Sequence, residues 1–200
     1  MAKGKVWLVG AGPGDAELLT KKAERVLNMA DVIVYDALVG QAIIAGLPET
    51  AEKVYVGKRS SHHAMPQEEI SRFLVSYAER GKNVVRLKGG DPFLFGRGGE
   101  EIEELLAGGI NYEVVPGITS ALAVPAYNGI PVTHRDYCSS LHIITGHKRR
   151  GKSLELDYEA LCRMEGTLVF LMGVASAPEI CHGLITAGMN PQMPAALLSQ

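Results

Sequence analysis

A glycine-rich loop over residues 87–101, with the sequence LKGGDPFLFGRGGEE, carries the residues best suited to binding a ligand. Its glycines have no side chain, so the backbone can approach a ligand closely. Asp91 can accept two hydrogen bonds from hydroxyl groups, as recognition of a ribose requires. Phe93 and Phe95 add flat apolar surface beside it. Because loops at the carboxyl ends of strands carry ligands in open α/β sheets, this loop predicts a binding site. A flexible surface loop is the alternative interpretation.

A second glycine loop, GAGPGD at residues 10–15, follows an apolar run and precedes a helical pattern. A dinucleotide-binding fingerprint would sit here, but G-x-G-x-x-G requires a glycine at position 15, where this chain has Asp15. A carboxylate there would repel a pyrophosphate on the helix N-terminus. A nicotinamide-dependent oxidoreductase is therefore disfavoured, although Asp36 lies at about the distance of a ribose-binding acid. A plain turn in which Asp15 caps the helix is the alternative.

A third loop, VPGITSALA at residues 115–123, places small residues and hydroxyls at the start of a helix directly after a strand. The free backbone N–H groups of that helix should face the same edge of the sheet as the first two loops. A routine helix cap is the alternative. Asp36 follows another predicted strand, and its residue type and position alone favour a turn residue.

The elements that position these loops follow from apolar periodicity. Short apolar runs predict strands, and apolar residues three and four apart predict helices. Their alternation predicts parallel strands with right-handed crossovers. In the first part of the chain the predicted strands are 6–9, 31–35, 53–56, 83–87 and 112–115, and the predicted helices are 17–30, one that Pro66 opens and Gly81 closes, and 100–107.

The pattern restarts after Pro116. It predicts helices at 118–127 and 178–187 and strands at 141–145 and 167–172. We therefore predict two α/β domains, residues 1–116 and 117–200. Residues 195–198 resemble a strand just beginning, which favours a chain that stops before its last strands.

Composition excludes several classes of function. A formal net charge of −2 provides no basic field for nucleic acid. The three cysteines form no CxxC pair, and no signal-peptide pattern is present, so a reducing cytoplasm is the expected location. No apolar run approaches the ~18 residues of a membrane span. His62 and His63 are adjacent and have no evident third ligand, so no metal site is predicted.

Together these segments resemble the S-adenosylmethionine (SAM)-dependent tetrapyrrole methylase family, in particular its uroporphyrinogen-III C-methyltransferases. The resemblance covers essentially the whole chain. The long loop is its most specific part. The motifs occur in the family's order and spacing: GAGPGD, VIVYDALV, VYVGKR, VRLKGGDPFLFGRGGEE, VVPGITSALA, GIPVTHRDYCSS, ITGH and FLMG.

The resemblance implies a homodimer of two-domain α/β subunits, with the active site in the cleft between the domains. SAM would donate methyl groups to C2 and C7 of uroporphyrinogen III, leaving S-adenosylhomocysteine and giving precorrin-2 for sirohaem or cobalamin synthesis. Another SAM-dependent precorrin methylase is the alternative enzyme, and the long loop argues against it. A regulatory protein that holds SAM or a tetrapyrrole without turnover is the alternative from another class.

Site residues carry over by motif. Asp36 takes the place of the family's proposed general base, and Lys58 that of its proposed acid. The substrate's carboxylates would be bound by cations on predicted loops. Solvated surface charge is the alternative interpretation of these cations. The residues predicted to bind substrate are Arg59, Arg97, His134 and Arg135. Those that would line the SAM site are Pro13, Gly89, Gly90, Asp91, Leu94, Thr119, Ser120 and Met172.

This chain departs from the family at three places. The family often has Ala at Ser120 and Tyr at Leu171, and both changes are mild. It also continues past Gln200 with a Gly-Thr segment that contacts SAM and with the final strands. We therefore expect roughly 40–60 further residues, a length set by the two or three strands still missing from a typical sheet. Without them, the second domain should be loosened and SAM binding weakened.

Overall fold

A computed structural model describes residues 2–57, 65–147 and 155–198 of the chain. Contacts divide the chain into two compact units, Met1–Ser120 and Ala121–Gln200. Each unit has its own sheet and its own helices. Within the described residues, no helix has both the length and the apolarity needed to cross a membrane.

The first unit is built on a parallel sheet, as its apolar runs predicted. The described residues form five strands in the order β3-β2-β4-β1-β5, and every neighbouring pair is parallel. The central strands are buried on both faces, which is why they appear as nearly continuous apolar runs. The strands are β1 (Lys5–Gly10), β2 (Val32–Tyr35), β3 (Glu52–Tyr55), β4 (Val84–Lys88) and β5 (Asn111–Val115).

Helices cover both faces of this sheet. They are α1 (Lys21–Leu27), α2 (Gln41–Ala45), α3 (Gln67–Glu79) and α4 (Gly98–Ala107). Alternate residues of a strand point to opposite faces, so each strand supplies two separate cores. One core packs Trp7 and Leu87 with α1 and α2. The other packs Leu8 and Val84 with α3 and α4.

The helix predicted at 17–30 begins later than expected. The Thr20 hydroxyl oxygen accepts a hydrogen bond from the Ala23 N–H at 3.1 Å, which caps α1. A separate 3₁₀ turn precedes it over Ala16–Leu18. There the Asp15 carboxylate accepts from the Glu17 N–H at 2.9 Å, so Asp15 caps this turn and not the helix, which the alternative interpretation had it cap. The sequence did not predict α2, which is only five residues long and buries Ile43 alone.

The second unit contains α5 (Ser120–Tyr127, which begins at the last residue of the first unit), α6 (Tyr158–Arg163), α7 (Ala177–Thr186) and a parallel pair, β6 (Leu141–Thr145) and β7 (Thr167–Leu171). Leu161, Ile180 and Leu184 form its core. The predicted strand at 195–198 is wrong, because these residues form no strand. They are mostly exposed, and no strand in the described part of the chain pairs with them. An apolar run becomes a strand only where a ladder is available.

The half-buried carboxylate of Glu113 joins β5 to β1 and α1. It accepts hydrogen bonds from Lys22, from Lys5 at 2.6 Å and from the Trp7 indole N–H at 3.2 Å. The bonds from Lys22 and Lys5 lower the pKa of Glu113 to about 2. A carboxyl group whose pKa is lower in the folded than in the unfolded state stabilises the fold at pH values above its unfolded pKa. This stabilisation is lost as the pH falls through the folded pKa.

Urea unfolding of the chain should therefore show stability falling between about pH 4.5 and about pH 2, in part because Glu113 is protonated. Glu113→Gln should lose this component and so have a flatter acid limb. Glu49→Gln, at an exposed position, is the matched control. Parallel acid limbs for the wild type and Glu113→Gln would contradict the assignment.

Candidate functional site

The loops that follow β1 and β4 meet at the carboxyl edge of the first sheet. Gly12 and Gly90 exchange two backbone hydrogen bonds, from the Gly12 N–H at 3.1 Å and from the Gly90 N–H at 2.7 Å. The Ala11 N–H donates to the Lys88 carbonyl at 2.7 Å. The first two glycine loops are therefore one continuous backbone surface.

The loop after β5 joins them. A Cβ on Gly117 would lie 2.7 Å from the Gly10 Cα, so neither position tolerates a side chain while the loops keep this approach. The Gly117 N–H donates to Asp91 Oδ2 at 3.0 Å. We call the resulting surface, formed by residues 10–12, residues 89–91 and Gly117, the glycine shelf.

Asp91 has a second role that the sequence did not predict. Its Oδ1 accepts from the Phe93 N–H at 2.8 Å, and its Oδ2 accepts from Gly117. The carboxylate therefore holds two loops together. Each carboxylate oxygen has a further lone pair. Asp91 can thus still accept hydroxyl hydrogen bonds, but it does so from a carboxylate that is already fixed in position.

The glycine shelf has the character of a ligand site. Gly90 has φ +66°, and a Cβ placed on it would meet no atom within 4 Å, so its backbone faces open space. Phe93 is 58% exposed, and Leu94 is half-buried beside it. Backbone amides, a carboxylate and apolar side chains are thus close together, and this combination suits a nucleoside. Three other residues predicted to line the SAM site are half-buried in these loops or at the start of α5: Pro13, Thr119 and Ser120.

Backbone strain marks some of the same residues. Within the described residues, the non-glycine residues with positive φ are Phe95, Arg97 and Met172. Such a conformation costs about 1–3 kcal/mol and tends to occur at functional sites. Phe95 and Arg97 lie in the long loop. Met172 directly follows β7 in the second unit and is 54% exposed.

Asp36 lies in the loop after β2, which also reaches the glycine shelf. A Cβ on Gly89 would lie 2.6 Å from the Leu38 carbonyl oxygen, so this loop contacts the long glycine-rich loop over residues 87–101. Asp36 Oδ1 accepts from the Leu38 N–H at 3.0 Å, and this is the turn role that its position predicted. Its side chain is 23% exposed and lines a cavity of about 280 Å³ that also includes Tyr35 and Tyr55.

A buried group of charges beneath Asp36 was not predicted. Asp36 Oδ2 accepts from Arg86 Nη2 at 2.7 Å. Glu101 Oε1 accepts from Arg86 Nε at 3.1 Å, from Lys88 Nζ at 2.9 Å and from Gln67 Nε2 at 2.9 Å. The side chains of Arg86, Lys88 and Glu101 are at most 5% exposed. Burial, reinforced by the Arg86 charge, lowers the pKa of Lys88.

A signal for this group was present in the sequence. Arg86 and Lys88 stand two apart in VVRLK, within a strand that is otherwise fully apolar. Charges on one face of a central strand are buried, and a buried charge requires a partner. Glu101 follows Gly98 by three residues and precedes Leu105 by four on the buried stripe of α4. An acidic residue on the apolar stripe of a predicted helix could therefore have been identified as the partner of these two cations.

The predicted cations are more dispersed. Arg97 is exposed, and its Nε bonds to Glu100 Oε1 at 2.9 Å, so its guanidinium already has a carboxylate partner. His134 and Arg135 are exposed residues of the second unit. His134 Nδ1 accepts from the Asp136 N–H at 3.2 Å. Lys58 and Arg59 lie outside the described residues.

Comparisons of the sequence and of the structure with those of known proteins give results that agree. The family model for Tetrapyrrole (Corrin/Porphyrin) Methylases matches residues 5–200. A siroheme synthase from Acinetobacter baylyi is 56% identical over 198 residues, which cover 99% of this chain and 43% of that protein. The chain spans less than half of the length of the curated relatives that it matches.

Two solved structures share the fold. One is uroporphyrin-III C-methyl transferase from Thermus thermophilus in complex with S-adenyl homocysteine, with a TM-score of 0.80 and 46% identity over 94% of this chain and 79% of that chain. The other is a cobalt precorrin-4 methyltransferase, with a TM-score of 0.79 and 29% identity over 92% of this chain and 75% of that chain. The α/β fold and the resemblance predicted from the motifs are thereby confirmed, and this chain belongs to the tetrapyrrole methylase family.

Proposed function

We propose that this chain binds SAM and transfers methyl groups to C2 and C7 of uroporphyrinogen III, giving precorrin-2 and S-adenosylhomocysteine. The observation that carries the proposal is the glycine shelf, where three loops meet around the open backbone of Gly90 and the fixed carboxylate of Asp91. Membership of the methylase family supports the reaction type. Identity of 46% to an enzyme named for uroporphyrin-III supports the substrate.

The glycine shelf suits the nucleoside half of SAM. Asp91 can accept the ribose hydroxyls with its remaining lone pairs. The backbone at Gly89 and Gly90 allows close approach, and Leu94 supplies apolar contact. No pyrophosphate has to be placed near Asp15, so the carboxylate that disfavours a dinucleotide is tolerated. The proposed lining is completed by Pro13, Thr119, Ser120 and Met172.

When bound, SAM supplies an electrophilic methyl group on a sulfonium. A pyrrole carbon of the substrate would form the new C–C bond to that methyl group, and the electron pair of the broken C–S bond would remain on sulfur. Positive charge then spreads to the pyrrole nitrogen. The Asp36 carboxylate, partly exposed in its cavity, stabilises that charge and accepts the proton that the ring loses. Orientation of the two reactants supplies much of the remaining rate enhancement.

The acidic side chains of the substrate require cations. Arg97 can replace its exposed partner Glu100 with a substrate carboxylate, because exposed ion pairs contribute little free energy. His134 and Arg135 are exposed and available to bind anions. Arg59 and the proposed acid Lys58 complete the set.

Anaerobic incubation with uroporphyrinogen III and SAM, followed by mass analysis of the tetrapyrrole, tests the proposal. We expect two successive methyl additions. Calorimetry should show binding of S-adenosylhomocysteine and no binding of NAD. Tight NAD binding with no response to SAM would refute the proposal. Binding of SAM without turnover would indicate the regulatory alternative.

A precorrin methylase of cobalamin synthesis is the second candidate, because the cobalt precorrin-4 methyltransferase shares the fold at 29% identity. Parallel assays with later precorrins separate the two. Methylation of a later precorrin, with uroporphyrinogen III left unchanged, would establish the alternative.

Asp91→Ala should weaken binding of S-adenosylhomocysteine by about 1–3 kcal/mol through loss of charged hydrogen bonds. Calorimetry is the measurement. Because Asp91 also joins Phe93 and Gly117, melting temperatures must accompany it. Asp91→Asn, which retains one acceptor oxygen, should give an intermediate loss. Wild-type affinity in the Ala variant would show that Asp91 does not contribute to binding of S-adenosylhomocysteine.

We also propose a homodimer, on family membership alone. Light scattering of the purified chain at several concentrations tests this, and a monomer at all concentrations would contradict it.

A further inference from the structure

Arg86 is a buried guanidinium in the centre of the first sheet. Its side chain is 3% exposed. Nη1 donates to the Leu87 carbonyl at 3.0 Å and lies 3.5 Å from the Val34 carbonyl. Nε donates to Glu101 at 3.1 Å. A guanidinium is planar and rigid, so partners on two of its sides determine the direction of the third.

That third direction leads to Asp36. Nη2 donates to Asp36 Oδ2 at 2.7 Å, and Oδ1 accepts from the Leu38 N–H. Both carboxylate oxygens therefore have a donor. One donor belongs to the loop that carries Asp36, and the other is anchored in the core of the sheet.

A purely structural role does not account well for such a group. Replacing buried ion pairs with well-packed apolar residues is often neutral or stabilising. The group is electrically balanced, with Arg86 and Lys88 opposing Asp36 and Glu101. Only Asp36 is appreciably exposed, and it lines a cavity. The buried members therefore hold the one carboxylate that a substrate can reach.

We propose that Arg86 is a positioning residue that fixes the orientation and charge of the Asp36 carboxylate, and that Glu101 in turn holds Arg86. This inference rests on the proposed function, in which Asp36 contacts the reacting ring. Lysine at position 86 keeps the positive charge but lacks the planar fork. It therefore cannot bond to Glu101, the backbone carbonyl and Asp36 at the same time.

The test is a double-mutant cycle of Arg86→Lys and Asp36→Asn, with single-turnover methylation of uroporphyrinogen III as the readout. Arg86→Lys should slow methyl transfer by about 10²-fold, the effect of misplacing a reacting group by about 1 Å. Affinity for S-adenosylhomocysteine should stay at the wild-type value. The double variant should be no slower than Asp36→Asn alone. Arg72→Lys, at an exposed ion pair with Glu68, is the matched control and should behave as wild type.

The outcomes are distinguishable. Multiplicative losses in the cycle would show that Arg86 acts independently of Asp36 and would overturn this inference. A wild-type chain that does not methylate the substrate would overturn the proposed function itself. If Arg86→Lys does not fold, the pair Arg86→Gln with Glu101→Gln removes one buried charge of each sign and enters the same cycle. The inference is supported if this pair of substitutions slows methyl transfer in a chain that keeps Asp36 but causes no further loss in the Asp36→Asn variant. A wild-type rate in the chain that keeps Asp36 overturns the inference.

Discussion

Methyl transfer by the Asp36→Asn variant should be about 10²–10⁴-fold slower than in the wild type, the range for loss of a general base. Asparagine keeps the shape of the side chain and can still accept from Leu38. It cannot take a proton from the ring or oppose the positive charge that develops there. The measurement is single-turnover methylation of uroporphyrinogen III, and affinity for S-adenosylhomocysteine should barely change.

Asp31→Asn is a suitable control, because Asp31 lies just before the same strand, at its opposite end. Its carboxylate accepts from the Asn83 N–H at 2.7 Å. This variant should lose some stability but keep the wild-type rate of methyl transfer. An unaltered rate in Asp36→Asn would contradict a catalytic role. Asp36 would then be only a turn residue, the role that its hydrogen bond from the Leu38 N–H indicates.

The arrangement of the glycine loops was predictable because it depends on local and topological rules. Apolar runs ending at glycines placed three loops after three strands, and parallel pairing brings the ends of those strands to one edge. In the structure β1 lies between β4 and β5, so that Gly10, Gly90 and Gly117 meet. None of this required knowledge of a side-chain contact.

The buried charges were not predicted, because they depend on pairings distant in the chain. Asp36 and Arg86 are 50 residues apart, and Arg86 and Glu101 are 15 apart. Periodicity assigns each residue to a face but does not identify its partner across the core. Short elements were missed for a related reason. The helix α2 buries one residue, too few to produce a pattern.

The strand predicted at 195–198 is an error of the opposite kind, because here an element was predicted that does not form. Its residues have the apolar character of a strand, yet local character is not enough without a neighbour. Whether a segment joins a sheet depends on pairing with residues elsewhere in the chain. Arg97 is predicted to bind a substrate carboxylate, and in the structure its guanidinium bonds to Glu100, three residues away. Substrate binding at Arg97 therefore requires Glu100 to be displaced.

Glu101→Gln should destabilise the chain by about 3–5 kcal/mol, the cost of leaving a buried charge without its partner. Glu101 is fully buried, and one of its oxygens accepts from Arg86, Lys88 and Gln67. Its Oε2 has no hydrogen-bond partner in the described part of the chain. Its contribution is therefore mainly its charge, which glutamine removes. Urea unfolding measures the loss, and Glu104→Gln, exposed on the same helix, is the control.

Two further observations distinguish an effect of charge from one of packing. Lys88→Met combined with Glu101→Gln removes one charge of each sign, leaves Arg86 with Asp36, and should recover much of the lost stability. Burial already lowers the pKa of Lys88, and Glu101 opposes that shift. Without Glu101 the pKa falls further, so the folded state releases this proton at a lower pH than the unfolded chain does. Stability then rises with pH through that interval, and the deficit of Glu101→Gln should shrink as the pH is raised. A deficit independent of pH, and unchanged in the double variant, would mean that Glu101 acts through packing alone.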